Sequence, residues 1–101
     1  MERTQMKHYL ICFDVQHDKT RAKLSRLLEK YGPRVQGSVF EVSFKTPDRK
    51  RQLEYKIHQI IKQSNTEENN IRFYNLNKDT IKHSHDINGN PIAQLPAAIV
   101  L

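Results

Sequence analysis

The apolar positions of this chain change period several times, and each change predicts an element. Tyr9, Ile11, Phe13 and Val15 alternate with Leu10, Cys12 and Asp14. That period of two marks a strand over residues 8–15. Both of its faces are largely apolar, so each must be covered by something. Next, Leu24, Leu27, Leu28 and Tyr31 follow the i, i+3, i+4, i+7 spacing of a helix from about Lys19 to Tyr31. Asp18 is expected to cap that helix, and Gly32-Pro33 to stop it.

Alternation then returns. Arg34-Val35-Gln36 reads as a short strand, and Gln36-Gly37 as a tight turn using glycine's tolerance of positive φ. Ser38 to Phe44 is the next strand, with Phe40, Val42 and Phe44 on one side. A second helix opens with Thr46 as N-cap, Pro47 at the first helical position and Asp48 in the first turn. Its apolar stripe is Leu53, Ile57, Ile60 and Ile61. Gln63 to Asn70 is a polar loop, and Asn70 to Leu76 a fourth strand. The order β-α-β-β-α-β predicts an α+β, ferredoxin-like sandwich, four antiparallel strands with two helices on one face. The other face would be wet in a monomer. The two-faced first strand therefore argues for a homodimer packed sheet to sheet.

The expectation is one domain over residues 1–101, with 1–6 a loose polar extension lacking a signal-peptide core. The tail differs in character. Asn88-Gly89 signals a turn, and Ile92 to Leu101 is apolar apart from Gln94. Residues 84–101 are read as an additional C-terminal strand or clip, on this protomer or its partner. No run approaches the roughly 20 apolar residues of a membrane span. Cys12 is the single cysteine and lies in an apolar strand, so a reducing cytoplasm fits.

Charge sharpens the functional picture. The chain has 17 Lys and Arg against 11 Asp and Glu, a net +6. Between Lys19 and Lys62 stand 12 bases and 4 acids, so the excess is concentrated there. A polyanionic partner follows. Lys19, Lys23, Arg26 and Lys30, spaced 4, 3 and 4, share one face of the first helix. They span about 16 Å, the scale of successive phosphates. Arg21 begins beside this face and Arg34 follows the helix. Nothing resembles a base-reading motif, so binding without sequence preference is expected; a solvated helix face is the plainer alternative.

Asp14, at the end of a strand that leads into this basic helix, is the candidate for holding a divalent metal against a phosphate. By itself it equally serves as a turn starter. His17 reads as a loop residue more than a proton carrier. His83-Ser84-His85-Asp86 is a weak transition-metal motif, without a cysteine or third histidine nearby. There is no P-loop, glycine fingerprint or Ser-His-Asp order.

Phe13-Asp14-Val15 ending the first strand, the basic helix, Tyr31-Gly32-Pro33-Arg34-Val35-Gln36-Gly37-Ser38-Val39-Phe40-Glu41, and Ile71-Arg72-Phe73-Tyr74-Asn75-Leu76 line up together. Over about residues 7–77 the chain resembles the small CRISPR-associated adaptation nucleases, the Cas-two family. The resemblance implies a ferredoxin-like homodimer whose two Asp14 residues share one divalent metal, usually magnesium (manganese possible). It implies a metal-dependent endonuclease on RNA or DNA. It also implies the central dimer of the spacer-acquisition complex, gripping double-stranded DNA between dimers of the CRISPR integrase. A non-catalytic DNA-binding scaffold is the alternative function. Asp14 matches the metal aspartate, Arg21 and Lys23 match basic helix positions, and Arg34, Gln36, Ser38 and Phe40 match the central block. Phe13 replaces a frequent tyrosine, Gly37 a commonly larger residue, and both chain ends fall outside the pattern.

Overall fold

The structure, a computed structural model, describes residues 6–64 and 69–92. Its elements are β1 (Lys7–Val15), α1 (Asp18–Glu29), β2 (Arg34–Gln36), β3 (Val39–Phe44), α2 (Pro47–Ser64), β4 (Asn69–Leu76) and α3 (Lys78–Lys82). The strands form one antiparallel sheet in the order β2-β3-β1-β4. This is the α+β, ferredoxin-like arrangement expected from the element order. The expectations for residues 1–5 and 93–101, including the apolar end, lie outside the described residues.

One face of the sheet meets the helices. Ile11, Phe13 and Val15 from β1 and Phe40, Val42 and Phe44 from β3 pack against Leu24, Leu27 and Leu28 of α1 and Leu53 and Ile57 of α2. Period-two alternation sends the intervening side chains of β1, β3 and β4 to the other face. That face carries Leu10, Cys12 and Asp14 beside Val39, Glu41 and Ser43, with Asn70, Arg72 and Tyr74 on the far side of β1. Aromatic edges tie the core together, with Tyr9 edge-on to Phe44 and Phe73 at 5.8 and 6.2 Å. The Lys50 ammonium covers the same Tyr9 and Phe73 rings at 5.1 and 5.5 Å.

Several local expectations are corrected. The cap of α1 is His17, not Asp18: His17 Nδ1 accepts from the Thr20 N–H at 3.3 Å and pairs with Thr20 Oγ1 at 2.9 Å. A ring nitrogen that accepts one main-chain N–H serves the helix end as a hydroxyl would. Asp18 instead pairs with Arg21 one turn on. The helix closes earlier than expected, at Glu29, and its last carbonyls accept from Lys30, Tyr31 and Gly32.

Gly32 is required by contact. A Cβ there would stand 1.9 Å from the Glu41 carbonyl oxygen. Gly37 has no such need: φ is not positive and no atom lies within 4 Å of its would-be Cβ. The turn glycine with positive φ is Gly89, at 85°. Thr46 caps α2 as expected, accepting from Arg49 N–H at 3.3 Å, and Gln63 and Ser64 extend that helix rather than starting the loop. The sequence pattern does not announce α3. Its Asn77 cap accepts from Thr80 N–H at 2.7 Å, and its Ile81 is buried apart from the helix-side core.

Candidate metal site and nucleic-acid interface

Asp14 pairs with Asn70 across the ladder at the end of β1. Its neighbours Phe13 and Val15 are buried against the helices, so alternation turns Asp14 to the open sheet face, where it is exposed. Its carboxylate takes no hydrogen bond or ion pair among the described residues. A hard cation favours such an unengaged carboxylate. Among the described residues no three His, Cys, Asp or Glu side chains gather as a ligand set. Asp14 thus stands as a single carboxylate on this face, without two further such side chains beside it among the described residues.

The six basic residues expected to bind phosphate separate into two groups. Lys19, Lys23, Arg26 and Lys30 are exposed and form no ion pair within the described structure. Arg21 and Arg34 are engaged. Arg21 reaches the Val15 carbonyl at 3.2 Å and Asp18. Arg34 pairs with Glu29 at 3.0 Å and lies 5.3 Å over the Phe40 ring, which itself stacks on Phe13 at 6.1 Å. These arginines line a groove of about 500 Å³ between α1 and the β2–β3 turn, together with Ser25, Arg26, Gly37 and Ser38. Ser38 fixes the groove to β1, because its carbonyl accepts from Phe13 N–H at 3.0 Å. Gln36 is exposed opposite Val39, and Phe40 is fully buried. Two paired arginines leave Arg26 as the groove's unneutralised guanidinium.

Sequence reasoning passed over Arg72. Its register partner is Cys12, which puts it diagonal to Asp14 on the open face. Arg72 Nη1 donates to Tyr74 Oη at 3.3 Å, and that bond pushes its pKa up. The signal was the alternation of β4, usable only once the pairing of β4 with β1 was known. His8 and Glu41 were also missed. His8 Nδ1 lies 2.7 Å from Ser43 Oγ, its Nε2 has no partner among the described residues, and burial lowers its pKa. Burial raises the Glu41 carboxyl.

A family model described as CRISPR associated protein Cas2 matches residues 6–83. The chain belongs to the Cas2 family. It is 31% identical over 93 residues to a Synechocystis protein named CRISPR-associated endoribonuclease Cas2 3, covering 92% of this chain and 97% of that one. A Chloroflexus aurantiacus protein named CRISPR-associated endoribonuclease Cas2 1 is 43% identical over 68 residues, 67% of this chain and 70% of that one. Among solved structures, Streptococcus pyogenes Cas2 at pH 6.5 superposes with a TM-score of 0.67 at 30% identity, over 79% of this chain and 98% of that chain. This Cas2 chain thus carries the family fold, with Asp14 and the α1 groove placed as described. No helix among the described residues is long and apolar enough to cross a membrane.

Proposed function

We propose that this Cas2 chain is a metal-dependent endonuclease cleaving phosphodiester bonds of RNA or DNA, with Asp14 as the metal ligand. The observation that carries the reading is an exposed, unengaged carboxylate where β1 turns into a cationic helix. The endoribonuclease names of the Synechocystis and Chloroflexus relatives support it and favour RNA as substrate.

One carboxylate is a poor magnesium site, and two related by a twofold axis make a credible one. The open sheet face, with Leu10 and Cys12 beside Asp14, supports a homodimer that brings two Asp14 residues together. A bound magnesium or manganese ion would polarise the phosphate and lower the pKa of attacking water. The chain's own groups do the rest. Asp14 supplies negative charge for the cation. Arg72 offers a guanidinium on the same face. Lys19, Lys23, Arg26 and Lys30 hold flanking phosphates without reading bases. His17 is committed to its cap, which removes it from proton transfer through Nδ1.

The test is cleavage of labelled RNA and DNA with magnesium or manganese by wild type and Asp14→Asn. Activity lost in the variant, with sedimentation still at about twice the 11.9 kDa chain mass, supports the reading. Equal cleavage by both proteins refutes it. A second reading, a DNA-binding scaffold that bridges CRISPR integrase dimers during spacer acquisition, is favoured by the four exposed cations of α1 that form no ion pair among the described residues. Under it, Asp14→Asn retains duplex binding and spacer acquisition in full.

A further inference from the structure

The C-terminal side of the described chain holds a second cluster of chemistry-bearing residues, unrelated to Asp14. His83 and His85 both line a groove of about 460 Å³ between the end of α3 and the following turn, with Lys82, Ser84, Gly89 and Pro91. His83 Nδ1 lies 2.8 Å from the Asp79 carbonyl oxygen, and His85 Nδ1 lies 2.7 Å from the Asp86 carbonyl oxygen. A carbonyl only accepts, so each Nδ1 must carry the proton. Each neutral ring then keeps its lone pair on Nε2. Anchoring one ring nitrogen on a main-chain carbonyl and freeing the other is how metal-ligating histidines are oriented.

The backbone under both rings is also held. His83 N–H donates to Asp79 O at 3.1 Å and Ser84 N–H to Ile81 O at 3.2 Å. His85 bridges to Pro91, and Asp86 N–H donates to Asn90 O at 2.8 Å. The Asp86 carboxylate is consumed by its own turn, accepting from Asn88 N–H, Asn90 N–H and Asn90 Nδ2. Among the described residues no third His, Cys, Asp or Glu side chain gathers with the two rings, so the donor set is two imidazoles.

We propose that His83 and His85 form a two-imidazole site for a late first-row divalent ion, of the class Ni2+, Cu2+ or Zn2+, with water in the remaining positions. Imidazole suits these ions and does not suit magnesium, so the site is chemically separate from the oxygen site at Asp14. Lys82 at the rim keeps the affinity modest. Occupancy would clip the end of α3 to the Asp86–Asn90 turn.

The test uses the full, tag-free chain and Ni2+ alone, titrated by calorimetry at pH 7.5, with Cu2+ spin resonance to count coordinated nitrogens. Wild type should bind one ion per chain with two nitrogen ligands. The His83→Ala/His85→Ala pair should weaken binding by on the order of tenfold or more, and each single variant by less. Circular dichroism of the double variant checks that it is folded. The His8→Gln/His17→Gln/His58→Gln variant removes the other histidines and should bind as wild type. Binding unchanged in the double variant, or none in wild type below about 1 mM, overturns the proposal.

Discussion

Gly32→Ala is the substitution whose effect the structure sets most directly. Its new methyl would lie 1.9 Å from the Glu41 carbonyl oxygen, and 2.8 Å from the Glu41 carbonyl carbon and Val42 Cα. All three atoms are main chain in the central part of β3, so no side chain can swing aside. Relief needs a main-chain shift of about 1 Å, and small-to-large strain of this kind costs about 1–3 kcal/mol. The shift also pulls on the Glu41 N–H to Pro33 O bond, 3.0 Å long, worth about 1 kcal/mol. Together the loss is about 3 kcal/mol, a large share of the roughly 5–15 kcal/mol that stabilises a domain. Urea unfolding at 25 °C should show this as a lower midpoint with an unchanged slope. The melting temperature should fall by roughly 4–8 °C per kcal/mol. Gly37→Ala is the internal control. With open space and no positive φ it should stay within about 0.5 kcal/mol of wild type, or gain slightly through a less flexible unfolded chain. If Gly32→Ala unfolds within about 0.5 kcal/mol of wild type, the close approach of the α1 exit to β3 is wrong.

Other substitutions test the site. Asp14→Asn should abolish metal-dependent cleavage while leaving unfolding within about 0.5 kcal/mol, since the side chain is exposed and unengaged; equal cleavage ends the catalytic reading. Changing Lys19, Lys23, Arg26 and Lys30 together to Ala should flatten the salt dependence of duplex binding by roughly 0.9 for each phosphate no longer neutralised; an unchanged slope in filter binding moves the interface elsewhere. Arg72→Ala should lower cleavage while sedimenting as wild type does, and cleavage at the wild-type rate would remove it from the site. His8 and Glu41, each buried, give opposite pH signatures. The His8 pKa is lowered on folding, so its contribution is present above the ordinary value near 6.5 and is lost as pH falls through the folded pKa. The Glu41 pKa is raised, so its contribution is present below its ordinary value near 4.5 and is lost as pH rises through the folded pKa. Glu41→Gln should therefore gain stability over wild type as pH climbs above 4.5, measured by urea unfolding. No gain at neutral pH would mean that Glu41 is satisfied.

Where order along the chain suffices, sequence alone determined the outcome. The two-residue period of Tyr9 to Val15 and the helical spacing of Leu24, Leu27 and Leu28 each reflect one buried face, and a buried face is a local property. Thr46-Pro47 was legible for the same reason, because a helix start is solved within four residues. The split βαβ order and the central block around Phe40 then led to the Cas2 family. What needed the tertiary structure were the relations between distant segments. Alternation already set Asp14 on the face opposite Phe13 and Val15, but that the helices cover the Phe13 face and leave the Asp14 face open was decided by packing. Arg72 joins Asp14 only through the β1–β4 register, which periodicity cannot supply. The cap of α1 is itself local, His17 Nδ1 accepting from Thr20 N–H three residues on, but Asp18 and His17 were both chemically able to fill it and order along the chain did not choose between them. Gly32 looked like a simple stop, but what demands glycine there is the backbone of β3, nine residues further on and unseen until the strands pack.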